Sequence, residues 1–448
     1  MKKKVVVIGG NAAGMSAASQ VKRLQPEWEA VVLEKSEYFS YASCGMPYYL
    51  EGIIPEISNL MEFSSTDAIN KRNIDLRRNC EVTEVKPEEK MVFINTPTGP
   101  ERENFDFLLI AAGTLPLVAG IHIPAEAERI FTLKNINDMK KISNFIEKFK
   151  PQRCAVIGGG YIALEMLEAF KTRGMETHLI HRRNDLAQTF EKEISNIIKE
   201  KMLAEGLILN LETAVNALEE KDGQVIVRTD KEDLQYDFVL VATGVVPNTD
   251  FLKGSSIELG IKDSVKVNRY LQTNYNYIYS AGDCAETVNM ITGKNAYVPL
   301  APKANKEGFL AGINICGGKE EYPGILGTAI TKLFDLGIGR TGLTLDEAEK
   351  NGFNPVKYQL SSNSRAKYYP GSEQMNSIII ASKDSGRILG AQLTGPLDSV
   401  KRIDVYSTMI YNKMTVKDAF NLDLAYAPPF SPVYDPVLLA ARVGRKHI

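Results

Sequence analysis

Two strand–glycine–helix units constrain the fold of this chain more than any other feature of its 448 residues. A β-branched run over residues 4–8 leads into residues 9–14 (Gly-Gly-Asn-Ala-Ala-Gly) and then into a helical pattern. The run 153–157 leads in the same way into residues 158–163 (Gly-Gly-Gly-Tyr-Ile-Ala). A strand, a glycine turn and a helix in this order place a pyrophosphate group at the helix N-terminus. The pair of units therefore predicts two bound dinucleotides, with electrons passing between them.

The first unit departs from the common glycine spacing at its middle position. Asn11 stands there in place of glycine, so we expect its side chain to lie where the backbone normally approaches the phosphate. The next strand, residues 30–33, ends in Glu34, about twenty residues further on, where a carboxylate binds a ribose hydroxyl. The predicted cofactor-binding residues of this unit are Gly9, Gly10, Ala13, Gly14, Glu34 and Lys35.

The second unit has a basic sequence after its next strand instead of an acid. Residues 177–180 are followed by His181, Arg182 and Arg183, and guanidinium groups bind phosphate in a bidentate manner. We therefore expect a preference for NADPH; the alternative is that both arginines point into solvent and NADH serves equally well. The predicted cofactor-binding residues here are Gly158, Gly160, Tyr161, Ile162, Glu165, His181, Arg182 and Arg183.

Further strand endings predict where the nucleotide-binding domains close. Residues 107–113 and 239–244 have buried-strand patterns that end in small residues, and residues 277–283 give a strand followed by Gly-Asp. A short acid at that place accepts hydrogen bonds from a sugar-like chain of hydroxyls, so it predicts the second half of a flavin site. The residues assigned to these endings are Ala112, Gly113, Gly244, Gly282 and Asp283, and Pro299 and Ala301 are further predicted cofactor-binding residues.

The C-terminal part lacks a nucleotide motif and has the pattern of a separate α+β domain. Residues 328–334, 337–343, 378–380 and 389–391 predict antiparallel strands, and Thr344 caps an acidic helix start. Two helices are predicted after these strands. The predicted fold class is therefore α/β, with two doubly wound nucleotide-binding domains, for FAD and NAD(P)H, followed by an α+β domain.

A single cysteine stands in the stretch that follows the first unit. Residues 40–49 read Ser-Tyr-Ala-Ser-Cys-Gly-Met-Pro-Tyr-Tyr, with a glycine and a proline suited to a helix start. A thiol just before a helix N-terminus lies at the positive end of the helix dipole, so we expect a lowered pKa for Cys44. Phe39 and Tyr49 occupy the positions five residues away, so an internal disulfide partner is absent. Cys44 must react with an external thiol, through a mixed disulfide, or with oxygen or peroxide, through a sulfenic acid.

Composition excludes several classes of function. Apolar residues make up 44% and charged residues 24% of the chain, and a net charge of -2 gives no basic field for nucleic acid. No run of roughly eighteen apolar residues predicts a membrane span, and the N-terminus leads into a strand rather than a signal peptide. The cysteines have neither disulfide nor zinc spacing, which predicts a reducing cytoplasm and no metal site. They are Cys44, Cys80, Cys154, Cys284 and Cys316.

Taken in order, these features resemble the FAD-dependent pyridine nucleotide-disulfide oxidoreductases, over essentially the whole chain. Residues 40–48 resemble the single-cysteine branch, which comprises coenzyme A disulfide reductases, NADH oxidases, NADH peroxidases and persulfide reductases. The C-terminal stretch 426–436 looks most like the coenzyme A disulfide reductases. Two departures, Ser43 where these reductases often have asparagine and Ala163 where glycine is usual, remove no chemistry.

The resemblance implies an architecture. It divides the chain into a split FAD domain over residues 1–115 and 246–322, an NAD(P)H domain over 116–245 and a C-terminal dimerisation domain over 323–448. It also implies a homodimer in which the C-terminal domain of one subunit completes the active site of the other.

The resemblance further implies roles for particular residues. Cys44 is the nucleophile near the flavin, and Tyr368 and Tyr426 flank the sulfur from the second subunit. Tyr161 is the aromatic gate over the flavin where nicotinamide enters. The glycine-loop histidine of the peroxidases has its counterpart at about Ala12, so peroxide chemistry lacks its polar partner. The predicted coenzyme A contacts are Ser16, Gln20, Arg23, Ser40, Ser43, Lys71 or Arg72, and Asn305.

The predicted function is reduction of coenzyme A disulfide by NAD(P)H, through a mixed disulfide between Cys44 and coenzyme A. The alternative on the same framework is an NAD(P)H oxidase, or a persulfide or polysulfide reductase. A flavin-bearing redox sensor without turnover belongs to a different class, and steady NAD(P)H consumption with disulfide would distinguish an enzyme from it.

Overall fold

The computed structural model describes residues 2–64, 71–118 and 120–446. The N-terminal part contains β1 (Lys4–Ile8), α1 (Ala12–Leu24), β2 (Glu29–Glu34), α2 (Met46–Glu51), β3 (Asp75–Arg78), β4 (Glu81–Lys86), β5 (Met91–Thr96), β6 (Gly99–Asn104), β7 (Phe107–Ile110) and β8 (Thr114–Pro116). The second part contains β9 (Ile130–Phe131), α3 (Ile136–Phe149), β10 (Arg153–Ile157), α4 (Tyr161–Thr172), β11 (Glu176–His181), α5 (Lys192–Ala204), β12 (Ile208–Leu211), β13 (Val215–Lys221), β14 (Gln224–Thr229), β15 (Asp233–Tyr236), β16 (Phe238–Val241) and β17 (Val245–Pro247).

The remaining elements complete the first unit and form the C-terminal domain. The third part contains β18 (Ile278–Ser280), β19 (Thr287–Val288), β20 (Asn295–Ala296) and α6 (Ala301–Ile315). The C-terminal part contains β21 (Ala329–Leu333), β22 (Leu336–Gly342), α7 (Leu345–Lys350), β23 (Pro355–Asn363), β24 (Gln374–Ser382), β25 (Ile388–Pro396), α8 (Leu397–Val400), α9 (Ile403–Tyr411), α10 (Val416–Phe420) and α11 (Pro436–Gly444).

A parallel sheet in the order β18-β7-β1-β2-β3 forms the first nucleotide-binding unit. Its central strand is a continuous apolar run because both of its faces are covered. Val5 and Val7 pack in a cluster with residues of α1 and α6. Val6, on the opposite face, packs with residues of the antiparallel sheet β4-β5-β6. The first unit is thus helical on one face and sheet-covered on the other.

The two glycine loops make the same tight turn after their strands. Gly9 has a φ of +101°, and a Cβ added to it would lie 2.3 Å from the Ala111 carbonyl oxygen. Gly158 has a φ of +129°, and its Cβ would lie 2.2 Å from the Ala242 carbonyl oxygen. Only glycine fits a positive φ at such a close approach, which explains why these two positions begin the motifs.

The second nucleotide-binding unit is inserted within the first. Its parallel sheet has the order β12-β11-β10-β16-β9, with the antiparallel sheet β13-β14-β15 beside it. The chain enters it after β8 and leaves it through β17, and these two short strands pair antiparallel, with Val245 opposite Pro116. The later strand β18 then returns to the first sheet. The boundaries proposed at 115/116 and 245/246 fall within this paired segment.

The C-terminal domain is an antiparallel sheet in the order β21-β22-β25-β24-β23. Thr344 caps α7 as expected, because its side chain accepts a hydrogen bond from the Glu347 amide. After β25 the described residues form three helices before residue 426, rather than the predicted two. The additional one, α8, has only four residues, which is too short to give a helical repeat in the sequence.

Candidate active site

Cys44 lies in a short turn between β2 and α2. Ser43–Gly45 forms one 3-10 turn, and α2 begins directly after it. Gly45 packs closely against Leu60, since a Cβ there would lie 2.4 Å from Leu60 Cδ2 and the leucine side chain would have to shift. The Cys44 side chain is exposed. The turn therefore presents a free thiol on a closely packed support.

The turn is fastened to the glycine loop by two hydrogen bonds. The Ser40 amide donates to the Gly10 carbonyl at 2.8 Å, and the Tyr41 amide donates to Asn11 Oδ1 at 3.2 Å. Asn11, expected to stand at the phosphate position, thus has its side-chain oxygen bound to the cysteine-bearing segment. Any group held by the glycine loop is thereby positioned relative to the sulfur.

The pKa of Cys44 differs from the sequence expectation. Although part of the Cys44 side chain is exposed, desolvation by the protein around the sulfur raises the pKa of the thiol, and the Glu165 carboxylate raises it further; a hydrogen bond with Ser43 and the charge of Lys134 act in the opposite direction. The predicted lowering by a helix N-terminus is therefore wrong. The physical reason is that desolvation and the Glu165 charge outweigh the dipole of α2, which has only six residues.

A cleft of about 2530 Å³ lies between the two nucleotide-binding units and reaches Cys44. Pockets for drug-sized ligands have volumes of roughly 300–1,000 Å³, so this one accommodates long cofactors. The predicted cofactor residues that line it are Gly9, Ala13, Glu34, Lys35, Ala112, Gly113, Gly160, Tyr161, Ile162, Glu165, Gly244, Gly282, Asp283, Pro299 and Ala301. The other three predicted glycines, Gly10, Gly14 and Gly158, belong to the two glycine motifs but do not line the cleft.

The acceptor groups of the cleft fit a flavin dinucleotide. Asp283 Oδ1 is buried and lacks a hydrogen-bond partner among the described residues, which suits an oxygen that accepts from ribityl hydroxyls. Glu34 lies at the end of β2, where its Oε2 accepts from the Gly10 amide at 2.7 Å and its Oε1 from the Ser36 amide at 2.8 Å. These contacts fix the carboxylate at the place where a ribose hydroxyl is expected.

A buried ion pair supports the turn that carries Asp283. Lys303 and Glu307, one turn apart on α6, have no exposed side-chain surface, and Nζ lies 3.0 Å from Oε2. Lys303 donates to the carbonyls of Gly282 and Ala285 at 2.7 and 3.0 Å, and Glu307 accepts from the Gly282 amide at 2.9 Å. Burial raises the pKa of Glu307 to about 7, against the effect of Lys303. Sequence reasoning missed this pair, because Lys and Glu four residues apart are typical of a solvated helix face.

The basic residues of the second unit lie outside this cleft. A Cβ added to Gly159 would lie 3.0 Å from the His181 ring, so that ring packs against the glycine loop. Burial, followed by the charges of Arg183 and Arg182, lowers the pKa of His181. Both arginines are exposed, and neither forms an ion pair with another residue of the described ranges. Their guanidinium groups are accessible to an anion.

A second cavity, of about 540 Å³, extends from Cys44 along α1. It brings together the predicted coenzyme A contacts with one exception, since Lys71 is not among the residues that line it. The predicted residues that do are Ser16, Gln20, Arg23, Ser40, Ser43, Arg72 and Asn305. Residues far apart in the sequence thus line one cavity together with Cys44.

Two cations of this cavity are held by neighbouring side chains. Arg23 donates to Gln20 Oε1 at 2.7 Å, so the two side chains lie on one face of α1. The Arg72 guanidinium lies 4.1 Å from the centre of the Phe63 ring and donates to the Ser19 hydroxyl. Sequence reasoning missed Phe63 and Ser19, because no motif marks an aromatic platform formed between separate segments.

Tyr368 and Tyr426 line neither cavity of their own chain. Their side chains are 76% and 47% exposed, and a hydrogen bond with Tyr368 raises the pKa of Tyr426. Phe430 and Val433, 75% and 68% exposed, extend the same C-terminal region as apolar surface. Within one chain, both predicted tyrosines therefore lie outside the two cavities that Cys44 lines, and both are accessible to solvent.

Known protein families account for this combination of fold and cleft. Residues 3–308 match the family model described as pyridine nucleotide-disulphide oxidoreductase, and residues 328–436 match its dimerisation domain. The chain belongs to the pyridine nucleotide-disulphide oxidoreductases. The predicted family and fold class are confirmed, as is the class of enzyme, an NAD(P)H-dependent oxidoreductase that uses FAD. The C-terminal α+β domain is the dimerisation domain of this family.

Members of the pyridine nucleotide-disulphide oxidoreductases resemble the chain over its full length. A CoA-dependent NAD(P)H sulfur oxidoreductase of Pyrococcus furiosus is 43% identical over 99% of both chains. The reduced CoADR-RHD of Bacillus anthracis has a TM-score of 0.96 and 35% identity, covering 100% of this chain and 80% of its own. An NAD-dependent persulfide reductase from A. fulgidus has a TM-score of 0.95 and 34% identity, covering 99% of this chain and 83% of its own.

Among residues 2–64, 71–118 and 120–446, no helix has both the length and the apolar composition that crossing a bilayer requires. The same ranges contain no group of three or more His, Cys, Asp or Glu side chains placed to hold a metal ion.

Proposed function

We propose that this chain reduces coenzyme A disulfide with electrons from NAD(P)H, through a mixed disulfide between coenzyme A and Cys44. The observation that carries the proposal is the position of Cys44, which lines both the dinucleotide cleft and the second cavity. Cys44 Sγ is therefore placed to receive electrons from the dinucleotide cleft and to react with a disulfide bound in the second cavity.

The second cavity has the chemistry that coenzyme A requires. Coenzyme A carries several phosphates, and Arg23 and Arg72 line the cavity with two guanidinium groups that suit phosphate oxygens. The coenzyme A dependence of the Pyrococcus furiosus relative and the CoADR title of the Bacillus anthracis structure support the same substrate class.

The reaction starts from the Cys44 thiolate. It attacks one sulfur of the incoming disulfide, a bond forms to Cys44 Sγ, and the other sulfur leaves as a thiolate that takes a proton from solvent. Two electrons from NAD(P)H then split the mixed disulfide, which releases coenzyme A and restores the Cys44 thiolate. FAD bound in the cleft supplies the relay between nicotinamide and sulfur. Ser43 and Lys134 favour the thiolate between these steps.

The test of this function combines a mass measurement with a turnover assay. We expect the untreated protein to exceed its polypeptide mass by one coenzyme A, located on the Cys44 peptide and removed by dithiothreitol. We also expect steady NAD(P)H consumption with coenzyme A disulfide, whereas a redox sensor would stop after one equivalent. Fast consumption with oxygen alone and none with the disulfide would instead assign the chain to the oxidases.

A persulfide reductase is the second candidate, because the A. fulgidus protein combines that activity with the same fold. The same thiolate attack on a persulfide of coenzyme A would again leave a sulfur-linked intermediate on Cys44. Rates with coenzyme A disulfide and coenzyme A persulfide, measured on one preparation, separate the two substrates.

We further propose that Tyr368 and Tyr426 act at the active site of the second subunit of a homodimer. Three observations support this arrangement: both tyrosines are exposed, neither lines a cavity of its own chain, and both lie in the dimerisation domain. A phenol beside a leaving thiolate donates a hydrogen bond or a proton, although an ordinary pKa of about 10 makes it a weak acid.

Replacing both tyrosines with phenylalanine is expected to slow disulfide reduction by about a hundredfold, the lower end of general acid catalysis. Reduction of the flavin by NAD(P)H should be unchanged, because the ring packing remains. Stopped-flow measurement of the two half-reactions checks this. Tyr270→Phe, at a surface tyrosine hydrogen-bonded to Glu321, serves as the control. An equal loss in both half-reactions would reject the assignment.

Arg182 and Arg183 are proposed to bind the 2′-phosphate of NADPH. Replacing both with alanine is expected to lower kcat/KM for NADPH by about tenfold to a hundredfold, since hydrogen bonds to charged groups contribute about 1.5–3 kcal/mol. The value for NADH should change little. Arg173→Ala, an exposed arginine at the end of α4, is the matched control. A parallel loss with both cofactors, or none, contradicts the proposal.

The domain boundaries and the cellular location complete the proposal. We assign residues 1–115 and 246–322 to the FAD domain, 116–245 to the NAD(P)H domain and 323–448 to the dimerisation domain. The paired strands β8 and β17 support the first two divisions. The five cysteines are all free, which supports a reducing cytoplasm.

A further inference from the structure

A buried glutamate joins the second nucleotide-binding unit to the dimerisation domain. Glu191 immediately precedes α5, and its amide donates to Gln392 Oε1 on β25 at 2.7 Å. Its Oε1 accepts from the amide of Leu345, the first residue of α7, at 2.7 Å, and Lys357 Nζ on β23 donates to its Oε2 at 3.0 Å. All three partners lie within residues 328–436, which match the dimerisation domain. Glu191 is thus fastened to this domain by its backbone and by both carboxylate oxygens.

The surroundings of Glu191 make this anchor costly to break. Glu191 and Gln392 are both buried. The Leu345 amide stands at a helix N-terminus, where it has no partner within α7. Lys357 also donates to Glu193 Oε1 at 2.7 Å, so one ammonium group neutralises two acids. Removal of this cation leaves a buried carboxylate uncompensated, which weakens the contact strongly.

Glu191 is the last residue of the connection between β11 and α5. This connection, residues 182–191, contains neither helix nor strand. We call its last part, residues 186–191, the strap. Ala187 and Phe190 within the strap are buried. The backbone groups of a buried segment without regular structure need hydrogen-bond partners outside it, so the strap depends on what it lies against.

The strap lies against the glycine motif of the second unit. The Ala187 amide donates to the Gly159 carbonyl at 2.7 Å. Ala187 has a φ of +45°, which is unfavourable for alanine and persists only where neighbouring contacts hold it. The Phe190 ring packs edge-on against the Tyr161 ring, with centroids 6.0 Å apart. Gly159 and Tyr161 both belong to the motif 158–163, and Tyr161 lines the dinucleotide cleft.

We propose that Glu191 is a positioning residue for NAD(P)H: anchored in the dimerisation domain, it holds the strap against the glycine motif and so sets the affinity for the nicotinamide cofactor. Glu191 does not line the cleft itself, and it acts through Ala187 and Phe190. Lys357 supports it from the dimerisation domain. The inference concerns only the reduction of the flavin, so it is independent of the substrate that reacts with Cys44.

The kinetic signature of the anchor follows from a two-state strap. If NAD(P)H binds only molecules whose strap is closed on the glycine motif, the apparent Kd equals the intrinsic Kd divided by the closed fraction. Loss of the anchor lowers this fraction and raises the apparent Kd. Saturating cofactor restores the closed form, so the limiting rate of flavin reduction stays the same.

The test uses the flavin-loaded protein and the variant Glu191→Gln, which keeps the size of the side chain and removes the charge that Lys357 pairs with. Stopped-flow flavin reduction over a range of NADPH and NADH concentrations gives Kd and the limiting rate. We expect Kd to rise about tenfold for both cofactors, which corresponds to a closed strap in about one molecule in ten. The limiting rate should stay within about twofold of the parent.

Hydrogen exchange supplies a second measurement that needs no turnover. Without nicotinamide cofactor, the amides of the strap should exchange faster in Glu191→Gln than in the parent, including the Ala187 amide that is bonded to Gly159. Saturating NADPH should restore most of the protection, because the cofactor selects the closed form.

Three further variants keep the result interpretable. Asp335→Asn removes a different ion pair between α5 and the dimerisation domain, with Lys201, and should keep the Kd of the parent. Lys357→Met removes the anchor from the other side, at a partly exposed residue, and gives the same test if Glu191→Gln does not fold. Lys357→Arg keeps the cation and should retain the affinity of the parent.

Several outcomes overturn the inference. An unchanged Kd in folded Glu191→Gln or Lys357→Met does so, as does a lowered limiting rate with unchanged Kd. An equal rise in Asp335→Asn would assign the effect to domain contact in general rather than to Glu191. A loss confined to NADPH would assign it to Arg182 and Arg183. Failure of coenzyme A disulfide as a substrate would leave these measurements unaffected, because they end at the reduced flavin.

Discussion

Replacing Cys44 with serine is expected to lower coenzyme A disulfide reduction by about a thousandfold or more, as loss of a covalent nucleophile does elsewhere. A serine hydroxyl cannot form the mixed disulfide, and Cys44 lines both cavities of the site. Binding of FAD and its reduction by NAD(P)H should persist, because the glycine loop and the Asp283 turn do not depend on the sulfur. Steady-state turnover and single-turnover flavin reduction, measured on one preparation, distinguish the two effects.

The remaining cysteines supply the control for this prediction. Cys316 follows the last residue of α6 and is partly exposed, and it lines neither cavity. Cys316→Ser should therefore retain the turnover of the parent. Appreciable coenzyme A disulfide reduction by Cys44→Ser would contradict the assignment of the nucleophile.

Removing Lys303 should produce the largest loss of stability among these changes. Lys303→Met leaves Glu307 buried without its cation and leaves the Gly282 and Ala285 carbonyls without their donor. Breaking a buried ion pair costs about 3–5 kcal/mol of unfolding free energy. Because the same turn carries Asp283, we also expect weaker FAD retention, measured as flavin released on gel filtration.

The pH dependence of this loss distinguishes it from a simple packing defect. Burial raises the pKa of Glu307 above its unfolded value, and removal of Lys303 raises it further. The folded state then binds more protons than the unfolded state, so the stability of Lys303→Met should fall as the pH rises from about 5 to about 8. Lys303→Met/Glu307→Gln keeps an acceptor for the Gly282 amide without a charge and should recover part of the loss. Urea unfolding curves of the three proteins check this, and a pH-independent loss would contradict it.

The sequence was sufficient to predict the family, the two glycine units and the antiparallel C-terminal sheet. Each depends on a local signal: Gly9 and Gly158 are required by their own φ angles, and β1 and β24 are apolar runs. The proposed coenzyme A contacts came from the resemblance rather than from a pattern, since Ser16, Arg72 and Asn305 belong to separate segments that line one cavity. Lys71, next to Arg72, could not be separated from it by sequence alone.

The electrostatics of the site could not be predicted from local patterns. The pKa of Cys44 was expected to fall, but burial and the Glu165 carboxylate raise it. Glu165 lies 121 positions further along the chain, which is the difference between 165 and 44. The pairing of Lys332 with Glu168 joins the C-terminal domain to α4, and Lys303 with Glu307 has the spacing of a surface pair. Burial decides how strongly each of these charged groups affects its neighbours, and burial is set by the tertiary fold.

The pairing of strands β8 and β17 determines how the inserted unit can be replaced by another. They carry the chain into the inserted unit and out of it at adjacent points, with Val246 opposite Leu115. Neighbouring strands lie about 4.8 Å apart, so a block inserted there has its two ends side by side. A replacement for the inserted unit fits there without displacing the rest of the chain. The replacement must carry the same α4 face, with Glu165 and Glu168. The inserted unit can therefore be replaced as one block while the turn that carries Cys44 stays in place.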